Sequence, residues 1–319
     1  MIVVAGEALI DLVPSQQPSP DGPLPALLPR RGGGPYNTAV ALGRLGSPTA
    51  FCSRVSTDAF GASLLHGLHD GGVDTSLVQR GPEPTTLAVA DVSDDGSAGY
   101  GFYVEGTADR LFTLPPALPT TVRALSLGTC SLVLEPGAGA YEALLRREAR
   151  RGVFTALDPN IRPGLIVDPD AYRARFRSWL PDLALLKLSE EDAAWLAGAG
   201  ADGADRAAVL AAAREWLAAG PAAIVVTHGG DGLTAVTRGG GEVAVPGERV
   251  PVVDTIGAGD TVNAALLHRL DGHGALSYAA LGALPADDWA DILGFAARAA
   301  AVTCSRAGAE PPFAAELAG

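Results

Sequence analysis

Short apolar runs alternate with stretches of helical periodicity along most of the chain. The opening MIVVAGEALIDLV reads as a buried strand, as do 122–127, 153–157, 183–188 and 222–227, and the segments 138–149, 170–179 and 189–197 carry helical spacing. Strands alternating with helices predict βαβ units, hence an α/β fold whose mainly parallel central sheet has helices on both faces. Two stretches break the rhythm. Residues 14–30 hold six prolines, and 84–104 contain the alternating segments TTLAVADV and GYGFYV. Proline is confined to edges and turns of strands. Both stretches therefore read as an excursion from the main sheet: a small β-rich lid, formed by 12–30 and 84–106, on a single domain spanning 1–319.

Composition narrows the function classes. With 319 residues, 48% of them hydrophobic and 18% charged, the chain falls outside the disordered range. A chain of this length buries roughly 75% of its extended surface. Lys and Arg total 23 against 36 Asp and Glu, a net charge of −13, which argues against a nucleic-acid binder, since that needs a basic face. Cysteines at 52, 130 and 304 are odd in number and form no CxxC pair, so free thiols in a reducing compartment are expected. The first strand has no basic segment before it and does not read as a secretory signal, which predicts a cytoplasmic protein. No apolar run reaches the roughly 18 residues that a membrane span needs.

The strongest chemical signal is DTIGAGDTVNAALLHRL, residues 254–270. Val250 to Asp254 reads as a strand, Gly257 to Gly259 as a tight turn, and Thr261 to Leu270 as a helix with apolar positions at Val262, Ala265, Leu266 and Leu270. Gly257, Ala258 and Gly259 are small enough for backbone N–H groups to converge at the helix N-terminus, where the dipole favours an anion. Asp260 would repel a phosphate there unless it takes a proton from a hydroxyl that then attacks phosphorus. Taken alone, the motif reads first as an ordinary Asp-capped helix after a Gly turn, since short Gly motifs match by accident. The second signal is RRGGGPYNTAVALGRLG, residues 30–46, in which glycines lead through Pro35 into a helix. Asn37 offers both donor and acceptor to a polyol, or caps the helix locally.

Together, in this order, the two segments resemble the signature regions of the ribokinase-like (PfkB) carbohydrate kinases. GEALIDLVP at 6–14, GGGPYN at 32–37, FYVEGTAD at 102–109, DPNIRP at 158–163, KLSEED at 187–192, THGGDG at 227–232 and DTIGAGD at 254–260 extend the resemblance over nearly the whole chain, and it is strongest to the fructokinase-like branch. The resemblance implies a ribokinase-like fold and transfer of the γ-phosphoryl group of ATP, with Mg2+, to a hydroxymethyl group of a neutral sugar, fructose first. Kinases of 2-keto-3-deoxygluconate, ribose or a nucleoside are the neighbouring alternatives, and a non-catalytic sugar or nucleotide sensor is the alternative of another class. Asp260 then matches the catalytic base, and Gly257, Ala258 and Gly259 match the anion hole. Asp11, Gly33, Asn37, Tyr103 and Arg162 match sugar contacts, and Lys187, Thr227, Gly229 and Gly232 match nucleotide contacts.

Two departures from the family pattern bear on chemistry. The Asn-x-x-Glu element that helps organise Mg2+ through water aligns with Ser189 to Asp192, one methylene shorter at its acid, so Asp192 with Glu190 is the implied metal site, and Glu191 is an alternative to Glu190. Val104 stands where keto-deoxy-sugar-acid kinases often carry Arg, which favours a neutral sugar. The resemblance also implies a monovalent cation (K+) site at Asp254 and the Ile256 carbonyl. The lid is expected to close over the sugar or to pair with that of a second subunit in a homodimer.

Overall fold

The computed structural model describes residues 1–15, 26–92, 98–199, 205–239 and 241–317. Its strands are β1 (Ile2–Ala5), β2 (Leu9–Pro14), β3 (Leu27–Gly32), β4 (Thr49–Ser56), β5 (Val78–Gly81), β6 (Leu87–Val92), β7 (Ala98–Tyr103), β8 (Ala124–Gly128), β9 (Phe154–Asp158), β10 (Leu185–Ser189), β11 (Ala223–Thr227), β12 (Leu233–Thr237) and β13 (Glu242–Val245). The helices are α1 (Gly34–Arg44), α2 (Ala59–Asp70), α3 (Gly137–Arg150), α4 (Pro169–Trp179), α5 (Glu190–Ala197), α6 (Arg206–Ala219), α7 (Ala258–Gly272), α8 (Tyr278–Gly282) and α9 (Ala286–Cys304).

Nine strands form one sheet in the order β13-β12-β11-β10-β9-β8-β1-β4-β5. Pairing is parallel except at β11-β12 and β12-β13. Successive side chains of a strand face opposite ways, and β1 shows the result: Ile2 and Val4 join a core with α1, α2, α7 and α9, while Val3 and Ala5 join a second core with α3, α4, α5 and α6. Both faces are therefore covered, as the alternating pattern predicts, and the C-terminal ends of β1, β8, β9 and β10 open at one edge between the layers. In open α/β sheets such an edge is where ligands bind.

The excursion forms a separate four-stranded sheet, β3-β2-β6-β7. It starts at Leu9, ahead of the expected 12, and four of the six prolines lie outside the described residues. Pro14 and Pro29 take part in the β2-β3 pairing, with β3 at the sheet's edge. Register places Asp11 opposite Arg30 and beside Ala88, which in turn pairs with Phe102, so these four share one face. The expected strand at Val250 to Asp254 is absent. Val252 and Val253 are exposed, and the N–H groups of Val253 and Asp254 bind the Cys304 carbonyl instead of a ladder partner. The following helix begins at Ala258 rather than Thr261, so only Gly257 of the expected turn lies outside it, with φ 78°. The three cysteines are free thiols, and no described helix is long and apolar enough to cross a membrane.

Candidate active site

Asp260 sits in the first turn of α7, 7% exposed, with its carboxylate accepting from Asn37 Nδ2 at 2.8 Å. Gly257 caps the helix in the left-handed region, and a Cβ there would strike Ala309. Among the described residues no side chain caps this end, which leaves first-turn N–H groups available to an anion. Burial pushes the Asp260 carboxyl up to about 7; the Asn37 hydrogen bond opposes this, the Asp158 carboxylate adds to it, and Lys187 and Arg162 oppose it. A carboxyl titrating near neutral pH is suited to take a proton from a hydroxyl.

A cavity of about 220 Å³ opens on one side, lined by Asp11, Gly33, Asn37, Arg162, Ile256, Gly257, Gly259 and Asp260, all singled out from the sequence. Gly33 caps the start of α1 with φ 104°, and a Cβ would collide with the Glu7 carbonyl, so the chain can turn here only as glycine. Burial pushes the Asp11 carboxyl up to about 6 against the pull of Arg162. Arg162 Nη1 donates to the Asn160 side chain at 2.7 Å and to the Asn160 and Ile161 carbonyls. The same wall contains Glu7, Phe102, Thr129 and Asn160, none of which the sequence reading assigned. Glu7 and Asn160 stand inside the quoted segments GEALIDLVP and DPNIRP, where they were legible as motif letters but not as wall residues. Glu7 accepts from Thr129 Oγ1 and the Ser131 N–H, and burial pushes its carboxyl up to about 8.

A larger cavity of about 660 Å³ lies on the other side of the α7 N-terminus. Lys187, Asp192, Thr227, Gly229, Gly232, Ala258 and Gly259 line it, as do Val252, Val262, Ala297, Ala300 and Ala301 on an apolar flank. Lys187 Nζ pairs with Asp158 Oδ2 at 2.8 Å, with both side chains buried. Burial works against the ammonium, but the attraction of Asp158 prevails and holds Lys187 charged. Gly259 makes room for this ion pair, since a Cβ there would sit 3.0 Å from Nζ. Asn160, Thr255 and Gly259 line both cavities, so the two meet one residue before Asp260.

Three assigned residues stand elsewhere. Tyr103 is 66% exposed and its neighbour Phe102 faces the smaller cavity, because adjacent strand residues point to opposite faces. Glu190 Oε1 accepts from Arg206 Nε and pairs with His228 Nδ1, and Glu191 takes its place in the larger cavity. Asp192 closes a capping box with Ser189 and accepts the Ile161 N–H at 2.7 Å, so it ties α5 to the loop after β9. Asp254 lines neither cavity: its oxygens accept the Ile256 and Gly308 N–H groups, and among the described residues it has no basic partner. No three His, Cys, Asp or Glu side chains among the described residues converge to hold a metal.

The model of the pfkB family carbohydrate kinases matches residues 1–315. A fructokinase from Rhizobium leguminosarum bv. trifolii is 41% identical over 272 residues, which cover 85% of this chain and 79% of that protein. Among solved structures, a fructokinase from Xylella fastidiosa with bound ATP superposes with a TM-score of 0.86 at 26% identity, covering 99% of this chain and 97% of that one. A fructokinase double mutant from Vibrio cholerae O395, in a form with fructose, ADP and potassium ion bound, gives 0.80 at 25% identity over 97% and 93%.

Proposed function

The chain belongs to the pfkB family of carbohydrate kinases, and on that premise we propose that it transfers the γ-phosphoryl group of ATP to a hydroxymethyl group of fructose. The observation that carries the reading is the meeting of two cavities at Thr255, Gly259 and Asn160, with Asp260 next in the chain. Fructose occupies the smaller cavity, held by Asp11, Asn37 and Arg162. ATP occupies the larger one, its base along the Ala297–Ala301 flank, its phosphates toward Lys187 and the γ-phosphate at the open N-terminus of α7. Asp260 takes the proton of the attacking hydroxyl, and the first-turn N–H groups of α7 receive the charge that builds on the transferred phosphoryl. The lid sheet excludes water that would otherwise hydrolyse ATP.

The donor set fits Mg2+ held mainly by phosphate oxygens and water, with Asp192 and Glu191 reaching it through water, since magnesium keeps several waters. When bound, the ion neutralises phosphate charge. Asp254, a carboxylate with no basic partner among the described residues, fits a monovalent cation beside the Ile256 carbonyl. The exposed Leu27, Leu28 and Tyr103 of the lid suit a homodimer contact, which sedimentation velocity reads directly. The test of the activity is ADP release from purified protein over fructose, ribose, 2-keto-3-deoxygluconate and nucleosides. Fructose should give the highest kcat/KM. A better substrate among the others would overturn the sugar, and no release with any would point to a sensor.

A further inference from the structure

Asp260 borders a second, smaller pocket as well as the proposed sugar cavity. This pocket, of about 10 Å³, lies where α1, α7 and the ends of β8 and β9 meet, and Thr38, Ser126, Asp158 and Asn263 line it with Asp260. Asn263 stands three positions along α7 from Asp260, on the same side of the helix. Its Nδ2 donates to Ser126 Oγ at 3.2 Å. Two side-chain oxygens here have no hydrogen-bond partner among the described residues: Asn263 Oδ1 and Asp158 Oδ1. Both residues are more than nine-tenths buried, and interiors seldom leave such atoms unpaired. Empty cavities are apolar, whereas a polar one with room for a single water and at least two partners is hydrated. Both orphan atoms are acceptors, and a water brings two donors.

We infer that one ordered water occupies this pocket, donating to Asn263 Oδ1 and Asp158 Oδ1, and that Asn263 acts through it as a positioning residue for Asp158 and hence for Asp260. Asp158 faces Lys187, Asp192 and Arg162; Asp260 faces Asp158, Lys187 and Arg162, with the Asn37 amide on its carboxylate. A donor on the second oxygen of Asp158 favours its ionised form, and that negative charge strengthens the hold of Asp260 on its proton. Removing the water weakens the repulsion and frees the charge of Lys187, and both changes loosen that proton.

The kinetic arm rests on the kinase reading, whereas the water is tested without any substrate. A crystal structure at a resolution that shows ordered waters should reveal one peak within roughly 2.7–3.2 Å of both oxygens. An empty pocket, an Asn263 amide turned to donate straight to Asp158, or an ion ringed by four or more oxygens would each overturn the inference. Asn263→Leu fills the pocket, and Asn263→Ser keeps an acceptor and the room. With whichever sugar turns over, the Leu variant should shift the acid limb of the kcat profile down by about one pH unit, and the Ser variant should stay near wild type. A limb unmoved in a Leu variant of normal melting temperature, or moved as far by Ser, refutes the positioning role. Should the Leu variant not fold, the density and the Ser profile still decide.

Discussion

Asn37 Nδ2 donates to Asp260 Oδ2 at 2.8 Å and so joins the first turn of α1 to the first turn of α7 across 223 positions of sequence. The bond belongs to the charged form of Asp260, because a carboxylate accepts and an amide N–H donates. It fixes how the carboxyl faces the smaller cavity while burial holds its proton affinity high. The other carboxylate oxygen lies against Gly34, where a Cβ would come within 3.2 Å. A residue expected to hold sugar thus also orients the proposed base.

Asp260→Asn should bind fructose and ATP and lose turnover by about 100- to 10,000-fold, because the amide keeps the shape without the proton acceptor. Calorimetric titration beside steady-state rates separates the two quantities. Turnover within a few-fold of wild type would remove Asp260 from the role of base.

The same substitution should change how stability depends on pH. The folded carboxyl titrates near 7 and the unfolded one near 3.8, so the folded state binds more protons between these values and stability falls as pH rises through them. At about 1.4 kcal/mol per unit, Asp260→Asn should gain at most on the order of 4–5 kcal/mol over wild type at pH 8, and little at pH 4. Urea denaturation at the two pH values measures the difference, and an equal gain at both would mean that Asp260 is ionised without penalty.

Asn37→Ala removes a donor to the charged form, which raises the proton affinity of Asp260. The acid limb of kcat/KM, expected near pH 7 in wild type, should move up by about one pH unit. An unmoved limb with a raised KM for sugar would leave Asn37 as a sugar contact alone.

The sheet, its helices and the segments that converge on the site were legible because each rests on local pattern. The apolar runs marked β1, β8, β9, β10 and β11, though not β4 or β5, and the small residues before Asp260 marked the α7 N-terminus. What was not legible depends on facing and on partners distant in the chain. Tyr103 and Phe102 are adjacent letters, and only the register of β7 against β6 decides which one faces the cavity. The Glu190 carboxylate reads as a helix-start acid until Arg206 and His228 come to it from α6 and the turn after β11. Val250 to Asp254 has the apolar run of a strand, yet its N–H groups find the end of α9 before any sheet edge.

Charge in the smaller cavity predicts a neutral sugar over a sugar acid. Arg162 is the one cation among the described residues that line it, against the carboxyls of Asp11 and Asp260, while Glu7, whose carboxyl burial pushes up to about 8, keeps its proton at neutral pH. Its charge already acts on Asp11, and its Nη1 is committed to Asn160 and Ile161. Arg110, close to Val104, is paired with Glu105 and the Glu135 carbonyl. A carboxylate entering here would meet more negative than positive charge. Competition between fructose and 2-keto-3-deoxygluconate should therefore favour fructose in kcat/KM, and a preference for the acid would show that Arg162 outweighs the Asp11 and Asp260 carboxyls.

The lid should gain protection when sugar and nucleotide bind. Its sheet β3-β2-β6-β7 has few strands, and such small sheets need a partner surface for stability. One face supplies that surface in part: Asp11 and Phe102 look into the smaller cavity, and Arg31, on the opposite face, lies against Gly67 of α2. The cavity face gains further cover when a sugar occupies the cavity that Asp11 and Phe102 line. Amides of β2, β3, β6 and β7 should therefore exchange faster than those of β1, β8 and β9 in the free protein, because local opening is cheapest where buried apolar contacts are fewest. Fructose with a non-hydrolysable ATP analogue should slow them, since closure buries the same face that the sugar touches. Hydrogen exchange followed by mass spectrometry resolves the two groups of peptides. Equal protection with and without ligands, at the level of the central strands, would mean that this sheet is a fixed wall of the cavity, and water exclusion would then have to come from the ligands themselves.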